Sequence, residues 1–439
     1  MELEGKRVVV VGLGRSGVSA ARLCRARGAE VVATDSAPDR QLSPEARALD
    51  VTLVAGGHQG VRFEEADLIV VSPGVPTFAE LAAAEAAGVP VIGELELAGR
   101  LVTAPIVLIG GTNGKSTTTT LAARLLEAAG ARVFAGGNLG TPLSEAVGGD
   151  YDVLVVEASS FQLERVPTLH AHVNVLLNIT EDHLDRYSSF DEYARAKGNG
   201  FVSQTAGDVA IIPAGDALCA REAGRGRARV VTFGEGGDFT VDGDEVVEGG
   251  TRYSLAQSEL HGRHNYSNAA AAIAAARALR TPPELIEVGL ARFHPLAHRM
   301  ALAGVVRGIR FYDDSKGTNV GAAVTALTGL AEPRAVLIAG GRDKLGAYEP
   351  LVEALARHGR AAVLIGEATE RIASAIGDRL PVRRAADLTE AVRLALELAE
   401  PGDAVLLSPA CSSFDMFASY AERGERFVAA VRELAEVAS

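Results

Sequence analysis

Tryptophan is absent from this 439-residue sequence, and cysteine occurs only at Cys24, Cys219 and Cys411. An odd, widely spaced set with no CxxC pair argues against a disulfide framework or a zinc knuckle and suits a reducing cytoplasm. Positive charge is also in deficit: 43 Lys and Arg face 56 Asp and Glu, a formal charge of −13. A general nucleic-acid binder needs clustered cations, so that class is disfavoured, whereas a small anionic ligand held locally is not. No apolar run reaches membrane length, and Met1-Glu2-Leu3-Glu4 has neither the basic nor the apolar region of a secretory signal. A cytoplasmic protein with no membrane partner is therefore expected.

What is present reads as α/β. Hydrophobic residues make up 48% and charged ones 23%, and the length calls for two or three domains. Short β-branched runs alternate with helical stretches: strands at Val8–Val11, Glu30–Thr34, Leu68–Val71 and Val89–Ile92, with a helix at Ser16–Arg27. A second series has strands at Ile106–Ile109, Asp152–Val156, Val173–Leu177 and Val209–Ile212. A Gly- and Glu-rich β excursion near 224–253 and an Ala-dense helix over Asn268–Arg280 follow. A third series has strands at Gly308–Tyr312, Ala335–Ala339, Ala361–Ile365 and Ala404–Leu407. Such alternation implies parallel sheets covered by helices, in three domains at 1–93, 94–295 and 296–439.

The strongest local signal is Gly110-Gly111-Thr112-Asn113-Gly114-Lys115-Ser116-Thr117, between a strand and a helix. Backbone N–H groups of such a loop and the helix N-terminus surround phosphates, Lys115 reaches the β/γ-phosphates and the Ser116 hydroxyl meets Mg²⁺. Ile109 stands where the usual pattern has its first glycine. Glu157 ends the next apolar strand, where a metal-binding acid belongs in a P-loop domain, although alone it would read as a solvated strand end. His183, in Asn178-Ile179-Thr180-Glu181-Asp182-His183, also follows a strand and is a second metal-ligand candidate. Gly12-Leu13-Gly14-Arg15-Ser16-Gly17, with Asp35 ending the next strand, could dock the diphosphate of either NAD or a nucleotide sugar. Three polar clusters end strands of the third series: Asp313–Asn319, Gly340–Lys344 and Ser408–Ser413. Each alone suits turn and cap chemistry, but together they mark a crevice for anions. Cys411 has no assignable histidine partner and reads as a buried hydrophobe rather than a nucleophile.

These residues together resemble the Mur ligases along essentially the whole chain, and most of all the D-glutamate-adding branch. The resemblance rests on GGTNGKST, GGNLGTP, EASSFQLE, NITEDHLDRY, YARAK, HNYSN, HR, DDSKGTN, GGRDK and LLSPACSSFD, and no DNPR motif occurs. The shortened P-loop is the family's usual form. The resemblance implies a Rossmann-like N-terminal domain holding UDP rather than NAD, a central ATPase-like domain and a C-terminal Rossmann-like domain. It implies ATP, two Mg²⁺ ions, UDP-N-acetylmuramoyl-L-alanine and D-glutamate as ligands, and a monomer.

Carried over residue by residue, it places Gly111, Thr112, Asn113, Gly114, Lys115, Ser116 and Thr117 on the phosphates of ATP. Adenine would lie near Asn265 and Asn268, and Arg299, Asp314 and Lys316 would close over the nucleotide. Gly14, Arg15, Ser16, Asp35, Ser36 and Gly74 would hold the UDP end of the substrate, and Asn138, Ser159 and His183 its muramoyl part. Thr318, Lys344 and Ser413 would hold D-glutamate. Metal ligands would be Ser116, Glu157, His183 and a carbamylated Lys197, which sequence alone reads as a helix-surface lysine. Lys115, His183 and Lys197 would be catalytic, with hinges at Gly93 and 293–295. Three rivals are another Mur ligase or folylpolyglutamate synthetase-like amide ligase, an NAD-dependent dehydrogenase that leaves the P-loop unexplained, and a P-loop module without ligase chemistry.

Overall fold

The computed structural model describes residues 1–183, 186–343 and 347–438. Its strands form three sheets. The first runs Thr52–Ala55, Glu30–Asp35, Arg7–Val11, Leu68–Val71, Val91–Gly93, parallel throughout. Its centre is wholly apolar, with Val8 to Val11 and Leu68 to Val71 buried. A parallel strand with helices over both faces can hide every side chain, at about 1.5–3 kcal/mol for each large aliphatic group.

The second sheet has nine strands. Val133–Gly137, Val153–Glu157, Ile106–Gly110, Val173–Leu176, Val209–Pro213 and Arg229–Phe233 are parallel neighbours in that order. Ile106–Gly110 is fully buried between Val153–Glu157 and Val173–Leu176, so the loop after it is flanked by the carboxyl ends of both. Beyond Arg229–Phe233, Phe239–Asp242, Glu245–Glu248 and Thr251–Ser254 pair as an antiparallel ribbon, the β excursion expected near 224–253. The third sheet runs Ala301–Val306, Ile309–Asp313, Ala404–Leu407, Ala335–Gly340, Gly359–Ile365, Val382–Arg384, with its first strand antiparallel.

Several strands escaped the sequence reading, all at edges. Thr52–Ala55 is half-buried, Val382–Arg384 is three residues long and mostly exposed, and Val133–Gly137 exposes Ala135 and ends in two glycines. Edge strands bury one side only and lack the apolar run that marks a central strand. The expected strand Val89–Ile92 begins two residues late, at Val91, after Pro90, which has no N–H to give a ladder. The Ala-dense helix starts at Arg263 rather than Asn268 and ends at Ala278, so Asn265 and Asn268 share a helical face.

The chain packs as two compact units. One comprises Met1–Ile179, His183–Ser254 and Ala269–Arg292; the other comprises Thr180–Asp182, Leu255–Asn268 and Phe293–Ser439. The first unit holds the first two sheets, joined by a buried polar seam. Ser144 N donates to Glu94 Oε1 at 2.6 Å, Ser144 Oγ to Ser19 Oγ at 2.7 Å, and Ser19 Oγ to Glu145 Oε1 at 2.8 Å. Burial raises the Glu94 pKa above the ordinary carboxylate value. The neighbouring Gly93 N–H is tied to Arg165 O at 2.9 Å. Among the described residues, no helix is long and apolar enough to cross a membrane.

Candidate functional site

The loop 111–114 joins the buried strand Ile106–Gly110 to the helix Lys115–Ala128, with Gly114 at φ +86°, a conformation that glycine adopts without steric penalty. Its shape is fixed from outside. Asn178, just past the strand Val173–Leu176, clamps it: Asn113 N donates to Asn178 Oδ1 at 2.9 Å, Asn178 Nδ2 to Asn113 O at 3.1 Å, and Thr112 N to Asn178 O at 3.0 Å. Tyr193 Oη lies 3.0 Å from Thr112 Oγ1. Lys115 Nζ folds back to Gly111 O at 3.0 Å and Thr112 O at 2.8 Å. Asn178 and Tyr193 were not singled out from the sequence, although Asn178 opens the polar cluster that ends in His183.

Lys197 lies in the last turn of the helix Phe190–Gly198, yet it is 3% exposed, so the helix-surface reading is corrected. Its Nζ donates to Gly111 O at 2.8 Å and sits 4.6 Å from the Tyr193 ring centroid. The helix packs that face against the P-loop, which single-sequence periodicity does not reveal.

Glu157 ends the neighbouring strand and is 2% exposed. Ser116 Oγ donates to its Oε2 at 2.5 Å and Asn138 Nδ2 to its Oε1 at 2.6 Å; Asn138 N bonds Glu157 O at 2.8 Å. A buried carboxylate beside a hydroxyl at a P-loop supplies the hard oxygen donors that Mg²⁺ takes. Among the described residues no group of three or more His, Cys, Asp or Glu could hold a metal. His183, at φ +55°, packs its ring against Phe161 at 4.7 Å. Ser159 caps the helix Ser160–Leu163, its Oγ exchanging hydrogen bonds with Gln162.

On the first sheet, Gly17 is required sterically: a Cβ there would lie 1.8 Å from Gly12 O. The Asp35 carboxylate is engaged on both oxygens, by Leu13 N at 2.6 Å and Ala37 N at 2.8 Å, and so holds the turn after Arg7–Val11. Gly14, Arg15 and Ser36 are exposed, and Arg15 Nη1 reaches Gly140 O at 2.8 Å, two residues past Asn138. Gly74 O accepts from Arg186 at 3.1 Å.

In the second unit, Asp314 Oδ2 accepts from Ser408 Oγ at 2.7 Å, bringing two of the three polar clusters together. Lys316 Nζ stands 3.8 Å above the Tyr420 ring, Thr318 is half-buried and Ser413 is buried. Asn268 Nδ2 donates to Asn265 Oδ1 at 3.2 Å. Lys344 lies outside the described residues. Arg423, missed by the sequence reading, is fully buried in the last helix and gathers Ser315 O at 2.9 Å and Cys411 O at 3.3 Å. It lies outside every motif, so no sequence signal marked it.

Burial pushes the Asp314 pKa up to about 7, with the Ser408 hydroxyl and Arg299 only partly offsetting it. The folded state thus holds this proton more tightly than the unfolded chain, and its contribution to stability falls as pH rises from about 4 through 7. Asp314→Asn is expected to flatten that slope. The check is the difference in thermal midpoint between about pH 5 and about pH 8, compared with the parent protein.

Three family models match successive stretches of the chain. Residues 6–93 match the Mur ligase MurD-like N-terminal domain, 109–276 the Mur ligase middle domain, and 298–411 the Mur ligase glutamate ligase domain. A UDP-N-acetylmuramoylalanine–D-glutamate ligase from Desulfosudis oleivorans is 46% identical over 99% of this chain and 98% of its own length. One from Anaeromyxobacter dehalogenans is 46% identical over 97% of each. Among solved structures, a MurF ligase from Thermotoga maritima in complex with ADP shares the fold at TM-score 0.63 and 18% identity, covering 99% of this chain and 96% of that one. UDP-N-acetylmuramate-alanine ligase MurC from Thermotoga maritima does so at TM-score 0.60 and 18%, covering 98% and 99%.

Proposed function

Since this chain belongs to the Mur ligase family, we propose that it is the ATP-dependent ligase that joins D-glutamate to UDP-N-acetylmuramoyl-L-alanine in cytoplasmic peptidoglycan precursor synthesis. The observation that carries this is the pairing of Ser116, the residue after Lys115, with the buried Glu157 at 2.5 Å, beside a loop clamped by Asn178. In this reading the loop N–H groups and Lys115 hold the triphosphate, and the L-alanyl carboxylate displaces ADP from the γ-phosphorus. The amine of D-glutamate then attacks the acyl carbon, loses a proton, and inorganic phosphate departs. Such transfer depends on position and charge more than on a protein nucleophile, which suits a site without one.

Ser116 and Glu157 would hold Mg²⁺, which neutralises phosphate charge when bound. We extend this to a second ion at His183 and a carbamylated Lys197. There the ammonium first gives one proton to solvent, and the neutral Nζ then adds to the carbon of CO₂ and releases a second, so a cation becomes an anion. Asn138, Ser159 and His183 would face the muramoyl part, and Gly14, Arg15, Ser16, Asp35, Ser36 and Gly74 the UDP end. Asn265, Asn268, Arg299, Asp314 and Lys316 would serve the nucleotide, and Thr318, Ser413 and Lys344 D-glutamate. Domains at 1–93, 94–295 and 296–439 would act as a monomer.

A substrate panel tests the assignment. ADP release should require both the UDP-linked substrate and D-glutamate, with a product heavier by one glutamyl residue in the mass spectrum. Equal turnover with glycine, L-lysine or a folate would point to another amide ligase of this fold.

A further inference from the structure

Arg186 lies in the same NITEDHLDRY stretch as His183, yet the functional reading gives it no task. Its guanidinium joins the two sheets of the first unit. Nη1 donates to Gly74 O at 3.1 Å, and Nη2 lies 3.5 Å from Val75 O, both in the loop after the strand Leu68–Val71 of the first sheet. That loop is fastened to the diphosphate fingerprint, because Ser72 Oγ donates to Gly12 O at 2.7 Å. In the other direction Nη2 pairs with Glu164 Oε2 at 2.9 Å, and the guanidinium carbon stands 4.7 Å from the Phe161 ring centroid. Phe161 is the ring against which His183 packs, and Glu164 Oε1 also accepts from Tyr187 Oη at 2.7 Å. A cleft is lined there by Ser72, Gly74, Phe161, Gln162, Glu164 and Arg186.

Backbone carbonyls on one side and a carboxylate with a ring face on the other use the whole planar fork. A lysine cannot reproduce that geometry, since its ammonium is a single point donor. From this juxtaposition we infer that Arg186 is a positioning residue that sets the distance between the UDP-holding loops of the first sheet and the His183 side of the second. It thereby selects for the full length of the UDP-linked substrate. The inference rests on the ligase reading above. UDP alone touches only one side of the link, so the link matters only to a ligand that spans it.

The experiment compares Arg186→Ala and Arg186→Lys with the parent enzyme. The KM for UDP-N-acetylmuramoyl-L-alanine should rise about 10- to 100-fold in Arg186→Ala, because small misplacements of a reacting group are amplified. The Kd for UDP, by calorimetry, and the KM for ATP should stay within about twofold, since neither ligand spans the link. Arg186→Lys should recover only part of the loss. Equal weakening of UDP and of the whole substrate, or no change in either, would overturn the inference. Should Arg186→Ala fail to fold, Glu164→Gln, which removes only the anionic partner, must show the same split or the inference falls. Parent enzyme that turns over normally while the variants do not differ sinks this inference alone. Parent enzyme that releases no ADP on the UDP-linked substrate sinks the ligase reading first.

Discussion

Lys115→Ala should lower kcat for ADP release by about 10³-fold, the scale for losing a preorganised charge that meets the transition state. The fold should survive. Lys115 is the first residue of its helix, where a cation opposes the helix dipole, and its ammonium donates to the carbonyls of Gly111 and Thr112. Removing it is expected to leave the thermal midpoint unchanged or slightly higher. Loss of turnover with an unchanged midpoint separates a catalytic lysine from a structural one. An alanine variant with parental kcat would refute the phosphate-loop assignment outright.

Lys197→Ala is expected to lower kcat by about 10²- to 10³-fold, the scale for losing one electrostatic element of such a site. Short carboxylic acids such as acetate should restore part of it. Its buried Nζ sits against the P-loop carbonyl of Gly111, in the last turn of a helix where a cation is favoured and an anion is not. A carbamate there therefore needs neighbouring positive charge. Parental activity should depend on bicarbonate, and that dependence should steepen as Mg²⁺ is raised. Unlike Lys115→Ala, this variant should also lose stability, because a buried side chain and its contacts with Gly111 O and the Tyr193 ring are removed. Failure of carboxylates to restore any activity, with the variant folded, would remove the carbamate from the mechanism and leave the ammonium as the working group.

Central strands and the motifs after them were legible because a strand buried on both faces must be a continuous apolar run, and Ile106–Gly110 and Val153–Glu157 are such runs. Polar residues that end such runs stand out locally, which is how Lys115, Ser116 and Glu157 could be chosen from one chain. The edge strands Thr52–Ala55 and Val133–Gly137 were illegible for the opposite reason: partial exposure mixes polar and small residues into them.

By itself the sequence determined the α/β class, the glycine-rich turn at 110–117 between a strand and a helix, and the residue types at the ends of the parallel strands. These follow from nearest neighbours along the chain and from the period of apolar residues. Only the tertiary structure decided that Asn178 and Tyr193 shape the loop, that Lys197 is buried against Gly111, and that Arg186 bridges Gly74 and Glu164. Those contacts join segments far apart in sequence, with Arg186 and Gly74 separated by 112 positions. Sheet order, not local pattern, brings them within hydrogen-bonding reach.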